Sequence, residues 1–94
     1  MISIEVLVSA IHGLQRSDVE RWIAQSWVRP DGSAGQYVFH GIDVARVRLI
    51  RELRDELHVD EDALPVVLSL LDQVYDLRRR LRDLAEGHPS GGAS

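Results

Sequence analysis

Apolar residues fall on one helical face almost from the start of the chain: Ile4, Leu7, Val8 and Ile11 recur at the spacing of an α-helix, which predicts a short amphipathic helix from Ser3 to His12. Ser3 is a suitable cap, because its hydroxyl can accept from an early N–H that has no partner inside the helix. Gly13 is placed to end the helix, since glycine enters the left-handed conformation without a Cβ penalty. A second run, Val19, Trp22, Ile23 and Trp27, keeps to one face after Leu14, Gln15 and the polar step Arg16-Ser17-Asp18. Two short helices joined at a glycine-containing turn form a helix-turn-helix.

Turn formers then crowd together in Pro30-Asp31-Gly32-Ser33-Ala34-Gly35, and Tyr37-Val38-Phe39 follows as a β-prone stretch. No helix crosses such a segment, so a small β-hairpin, or wing, is expected with strands near Val28 and over Tyr37 to Phe39. Helical periodicity returns from His40 to Leu57. Ile42, Ala45, Leu49, Ile50, Leu53 and Leu57 make the apolar stripe, and Arg46, Arg48, Arg51 and Arg54 lie across the other side. The simplest account of those arginines is a solvated face with i,i+4 partners such as Arg51 with Asp55.

His58 to Asp62 reads as a joint in which Asp60 or Asp62 caps the last helix. Pro65 falls where a helix tolerates it, in the early turn whose N–H groups lack internal partners. Beyond it, Val67, Leu70, Val74, Leu77, Leu81 and Leu84 alternate by three and four residues up to about Ala85, the seam of a coiled coil. Leu64, Leu68, Leu71 and Tyr75 widen the apolar surface of the N-terminal half, which is therefore expected to pack on its own domain. Past Tyr75 only the narrow seam is left, flanked by Arg78, Arg79, Arg80, Arg82 and Asp83. A narrow seam calls for a second helix, and Val74, Leu77, Leu81 and Leu84 are the expected dimer contacts. The predicted organisation is a winged helix-turn-helix domain with its third helix over residues 1–57, a coiled-coil helix over 58–86, and a disordered Gly/Ser/Pro tail over 87–94.

The rest of the composition narrows the function. A chain of 94 residues builds a single small core. It has no cysteine, hence neither disulfides nor thiolate metal sites. His12, His40, His58 and His88 stand far apart without metal-ligand spacing, so no metal and no cofactor is expected. No apolar run reaches the roughly 20 residues of a membrane span, and Met1 to Ile11 lack the features of a secretory signal, which makes the cytoplasm the expected compartment. Nothing resembles a nucleophile–base pair or a phosphate-binding loop, so no catalysis is expected. Asp72 and Asp76, the one pair of carboxylates at i,i+4 on the last helix that could suggest acid–base work, are better read as partners for Arg79 and Arg80. Acids outnumber bases, 15 to 11, every base being arginine, and a net negative charge disfavours phosphate as the main partner.

The order helix, glycine turn, helix, wing, long helix, coiled-coil helix resembles the MerR-like winged helix-turn-helix proteins. The residues that carry the likeness are Ile4-Glu5-Val6-Leu7, Gly13-Leu14, Trp22, Trp27-Val28-Arg29-Pro30, Tyr37-Val38-Phe39 and Asp43-Val44-Ala45-Arg46-Val47. Within that group the chain looks most like the chaperone modulators (CbpM-like proteins), through Tyr37-Val38-Phe39, Arg51-Glu52-Leu53-Arg54-Asp55-Glu56-Leu57 and Val67-Leu68-Ser69-Leu70-Leu71-Asp72. The resemblance spans roughly residues 3–84 and implies a mainly α fold. It also implies a dimer-capable protein that binds the J-domain of a DnaJ/CbpA-type co-chaperone and inhibits its action with Hsp70.

The acids Glu52, Asp55, Glu56, Asp60, Glu61 and Asp62, close together at the joint, are the candidate contacts for a basic J-domain surface, although capping and solubility account for some of them. The alternative is a MerR-like DNA-binding transcriptional regulator, in which Arg16, Arg21, Arg29 and Arg46 would meet DNA. Asp18 and Glu20 on the second helix would then oppose phosphates, and the wing tip, Asp31 to Gly35, carries no base at all.

Overall fold

The computed structural model describes the backbone of residues 1–93 and the side chains of residues 1–87. Four helices follow in order: α1 (Ile4–Ala10), α2 (Arg16–Ala24), α3 (Gly41–Asp55) and α4 (Leu64–Ala93). The chain divides into two compact units, one ending at Leu64 and the other beginning at Pro65. The joint after α3 thus belongs with the first unit rather than with the last helix.

Helices α1 and α2 form where the periodicity predicts them. Ser3 Oγ accepts from Val6 N at 3.3 Å to open α1, and Ile4, Leu7 and Ile11 are buried. Gly13 takes a positive φ of 81° in the turn to α2. Asp18 opens α2 by accepting from Gln15 N at 3.2 Å, one arm of a capping box. Ser26, at φ 64°, closes the helix in a Schellman arrangement: its N–H reaches Ile23 O at 2.9 Å while Trp27 N–H reaches Trp22 O at 2.9 Å. Trp22, Phe39, Val19, Val28, Val47, Ile50 and Leu64 complete the core with Leu7, each under 2% exposed. Side chains of this size contribute about 1.5–3 kcal/mol apiece on full burial.

The expected β-hairpin wing does not form. Asp31 and Val38 exchange a single pair of backbone bonds, at 3.1 and 2.9 Å, around a turn closed by Gln36 N to Ser33 O at 2.8 Å. The next bonding pair in this register would be Arg29 with His40, and His40 caps α3 instead: its N–H goes to Asp43 Oδ2 at 2.9 Å and its carbonyl accepts from Val44 N–H at 3.0 Å. Phe39 turns its backbone groups the other way, to Ile2, at 2.8 and 2.9 Å. Val28, expected in a strand, is a core residue instead. The loop still depends on glycine at Gly32, where φ is 89° and an added Cβ would run into the Gln36 carbonyl.

In α3 the buried stripe is Val47, Ile50 and Leu53, with Leu49 half-buried, whereas Ile42, Ala45 and Leu57 are exposed. Leu57 departs from the expected stripe because the helix has already ended at Asp55, and His58 at φ 55° turns the chain away. The helical period no longer applies there. Asp60 opens the turn before α4 with its backbone carbonyl, which accepts from Ala63 N and Leu64 N at 2.9 and 3.0 Å, where a side-chain cap was expected.

The second unit is the helix α4, with Pro65 in its first turn. Along this helix Leu68 is buried, and Leu71 and Tyr75 are exposed. The helical backbone continues through Ala93, into the segment 87–94 expected as a disordered tail. Ser94 and the side chains from residue 88 onward lie outside the described part.

Candidate functional site

Helix α2 follows the glycine turn, in the position of the helix that reads a DNA groove in a helix-turn-helix, so the state of its arginines decides what the unit offers a partner. Both are engaged. Arg16 bonds Glu5 of α1 through Nη1 and Glu20 of its own helix through Nε at 3.1 Å. Arg21 grips Glu61 of the joint with two hydrogen bonds, from Nε and from Nη2, and reaches Asp18 at 3.1 Å. Each guanidinium is held more firmly in its charged form by these contacts, Arg16 chiefly by the hydrogen bond to Glu5 and Arg21 chiefly by that to Glu61. The carboxyl of Glu5 is correspondingly lowered, first by a backbone N–H and then by Arg16.

Asp18 does not face outward, as an acid opposing phosphates would have to. It is 8% exposed, and its Oδ1 accepts both Arg21 at 3.1 Å and Arg54 at 3.0 Å while its Oδ2 takes Gln15 N–H. Its burial is tolerated because two cations and a backbone donor replace the lost water. Arg54 in turn packs over the Trp22 ring, 5.3 Å from its centroid, and donates two bonds to Asp55, at 2.7 and 3.0 Å. These bonds, those to Asp55 first, hold Arg54 strongly in its charged form, and Asp55 is lowered chiefly by Arg54. A chain of ion pairs therefore runs from Glu61 through Arg21, Asp18 and Arg54 to Asp55, tying α2 to the end of α3 and to the joint. Sequence reading missed this hub. The available signal was Asp18 three residues after Gln15, a helix-opening position, which marks an acid bound to its own backbone.

The six acids of the joint separate into two groups. Asp55, Glu56 and Glu61 are partners of Arg54, Arg51 and Arg21, Glu56 accepting from Arg51 Nη2 at 3.0 Å. Arg51 sits closer to Glu56 than to the expected Asp55, 3.9 Å away. Glu52, Asp60 and Asp62 are exposed and form no ion pair among the described residues. The solvated arginine face expected on α3 is accordingly only part of the picture, since Arg46, Arg51 and Arg54 are half-buried.

The other candidate DNA contacts lie apart from these. Arg46 donates Nε to Trp27 O at 2.9 Å, a bond that fixes the segment entering the loop. Arg29, and Arg48 of α3, are exposed without an ion pair among the described residues. At the loop, His40 Nε2 and Asp31 Oδ2 stand 2.7 Å apart, the Asp31 carboxylate being directed to the start of α3.

On α4, considered by itself, the candidate dimer residues are open: Val74 is 45% exposed, Leu77 56%, Leu81 66% and Leu84 63%, and Leu70 of the same seam 56%. Asp76 pairs with Arg80 at 3.0 Å, the structural role expected of it. Among the described residues no group of three or more acids or histidines could hold a metal ion, and no helix is long and apolar enough to cross a membrane.

A family model for the MerR HTH family regulatory protein matches residues 2–86, both units up to the distal end of the seam. The chain belongs to that family. The helices agree with a MerR-like helix-turn-helix, with α2 following the Gly13 turn and α3 following the loop in which the wing was expected. No curated protein and no solved structure matched the chain.

Proposed function

We propose that this MerR-family chain is a non-catalytic, protein-binding adaptor: a chaperone modulator of the CbpM-like kind that binds the J-domain of a DnaJ/CbpA-type co-chaperone and inhibits its action with Hsp70. The observation that carries the reading is the engagement of both α2 arginines by carboxylates, Arg16 with Glu5 and Glu20, Arg21 with Glu61 and Asp18. A helix that reads DNA needs cations free to meet phosphates and side chains free to reach base edges. Here a phosphate would first have to displace the carboxylates that Arg16 and Arg21 already hold, and the exposed charge left at the joint is that of Glu52, Asp60 and Asp62. Carboxylates so placed select a basic partner and speed its encounter. The open seam of α4 supports a homodimer, and the adaptor acts in the cytoplasm without metal or cofactor.

The test is charge reversal at the acids that have no internal partner. Replacing Glu52, Asp60 and Asp62 together with lysine should weaken J-domain binding by about tenfold or more and leave the helical signal intact, because exposed charges contribute little to folding. Asp55, Glu56 and Glu61 are poorer probes, since their reversal also breaks pairs with Arg54, Arg51 and Arg21. Unchanged J-domain affinity in the triple variant would move the interface elsewhere on the molecule.

The second reading is a DNA-binding transcriptional regulator. It is favoured by the regulatory description of the family and by Arg29 and Arg48, both exposed without an ion pair among the described residues. Selection from random duplexes separates the two readings: recovery of a defined palindrome would establish the regulator.

A further inference from the structure

The residue of the joint that binds α2 most directly is Glu61, and its bidentate contact with Arg21 joins segments 40 positions apart in sequence. Both side chains are partly open to solvent, Arg21 at 42% and Glu61 at 35%, so ligands approaching from outside can compete for either. We propose that the Arg21–Glu61 pair is an electrostatic latch that couples the joint to α2: a cationic partner that engages Glu61 releases Arg21, and an anion that engages Arg21 releases Glu61.

Three observations support the latch. The geometry is two-pronged, with guanidinium Nε and Nη2 each meeting one carboxylate oxygen, so one partner cannot be fully engaged elsewhere while the pair stays intact. Arg21 is not stranded on release, because Asp18 Oδ1 remains 3.1 Å away and keeps the side chain over α2. Asp18 is itself fixed by Arg54 and by Gln15 N–H, so opening the latch leaves the packing of α2 against α3 in place. Release thus frees the Nε edge of the Arg21 guanidinium, which stays held to Asp18 through Nη2, at little structural cost. Linkage requires the effect to be reciprocal, and a pair this exposed sets its size at about two- to fivefold.

The coupling rests on the adaptor reading only for the identity of the natural cationic partner, so oligolysine stands in for the J-domain in its test. The probes are oligolysine and a short duplex DNA, titrated separately into the full chain at low ionic strength. Glu61→Gln should tighten duplex binding by about two- to fivefold beyond Glu86→Gln, which removes the same charge from α4. Arg21→Gln should tighten oligolysine binding similarly beyond Arg82→Gln, and the two effects should vanish when each partner's absence is imposed on the other variant. In the wild type, the Arg21 Nε–H resonance should exchange faster with solvent as oligolysine saturates, a measurement that needs no variant to fold. Equal effects at Glu61 and Glu86, or an Arg21 Nε–H untouched at saturation, would overturn the latch. Loss of J-domain binding alongside normal oligolysine coupling would overturn only the adaptor reading.

Discussion

Helices α3 and α4 carry comparable apolar periodicity and meet opposite fates. In α3, Val47, Ile50 and Leu53 are buried by the chain's own side chains; in α4, Leu70, Val74, Leu77, Leu81 and Leu84 are exposed. The same spacing is buried in α3 and leaves an apolar face open on α4. The first unit closes on itself through Trp22, Phe39 and Leu64 and through the ion pairs centred on Asp18. On α4 five large apolar side chains of one face are exposed; isolated exposed apolar residues are ordinary and contiguous ones are not, and the proposed homodimer would cover them.

Deleting a side chain from each region should have unlike consequences. Trp22→Ala empties the centre of the first unit and should destabilise it by about 3–5 kcal/mol, enough to unfold a domain of this size; chemical denaturation followed by circular dichroism measures it. Leu81→Asp should leave that unit's unfolding midpoint unchanged and abolish self-association, because it forfeits about 1.5–3 kcal/mol of burial in each helix of a pair. Sedimentation equilibrium checks this, and a wild type that is monomeric at high micromolar concentration would erase the contrast between the helices.

A smaller effect probes what holds the first unit together besides apolar packing. Asp18→Asn keeps the shape but replaces charge-assisted bonds to Arg21 and Arg54 with neutral ones, and should cost about 2 kcal/mol of stability. If the residue instead faced outward, as its place on a groove-reading helix suggests, the substitution would be nearly silent. The smallest effect is acidic. Asp55 has a folded-state pKa below its unfolded value because of Arg54, so the stabilisation is complete above about pH 3.9, the unfolded value, and is lost as pH falls through the lowered one. The side chain is about a third exposed, 35%, so solvent screening keeps this contribution below about 1 kcal/mol. Asp55→Asn should flatten that part of the pH–stability curve.

The sequence was most informative where one helix decides its own structure. The Ser3 cap, the Gly13 turn and the helical spans of α3 and α4 follow from spacing and from single residues with known backbone preferences. It was least informative where a segment chooses between partners distant in sequence. Tyr37-Val38-Phe39 is β-prone, yet Val38 pairs with Asp31 alone and Phe39 pairs on its other side with Ile2, 37 positions back in the chain. No local pattern encodes that choice. The same limit applied to the candidate site. The acidic joint was visible as composition, but only the fold distinguishes Asp55, Glu56 and Glu61, held by arginines, from Glu52, Asp60 and Asp62, which have no ion pair among the described residues. Asp18 was misplaced for the same reason, because its burial depends on Arg54, 36 positions further along the chain.

The central claim is that the molecule offers a partner its carboxylates rather than its arginines. It is tested most directly by titrating the intact chain, at one ionic strength, with a purified DnaJ-type J-domain and with a pool of random duplex DNA. The account predicts saturable J-domain binding that weakens as salt rises, since attraction between exposed charges is screened over about 8 Å at physiological ionic strength, and no preference for any duplex sequence. Tight binding to a defined duplex together with no measurable J-domain binding would contradict it.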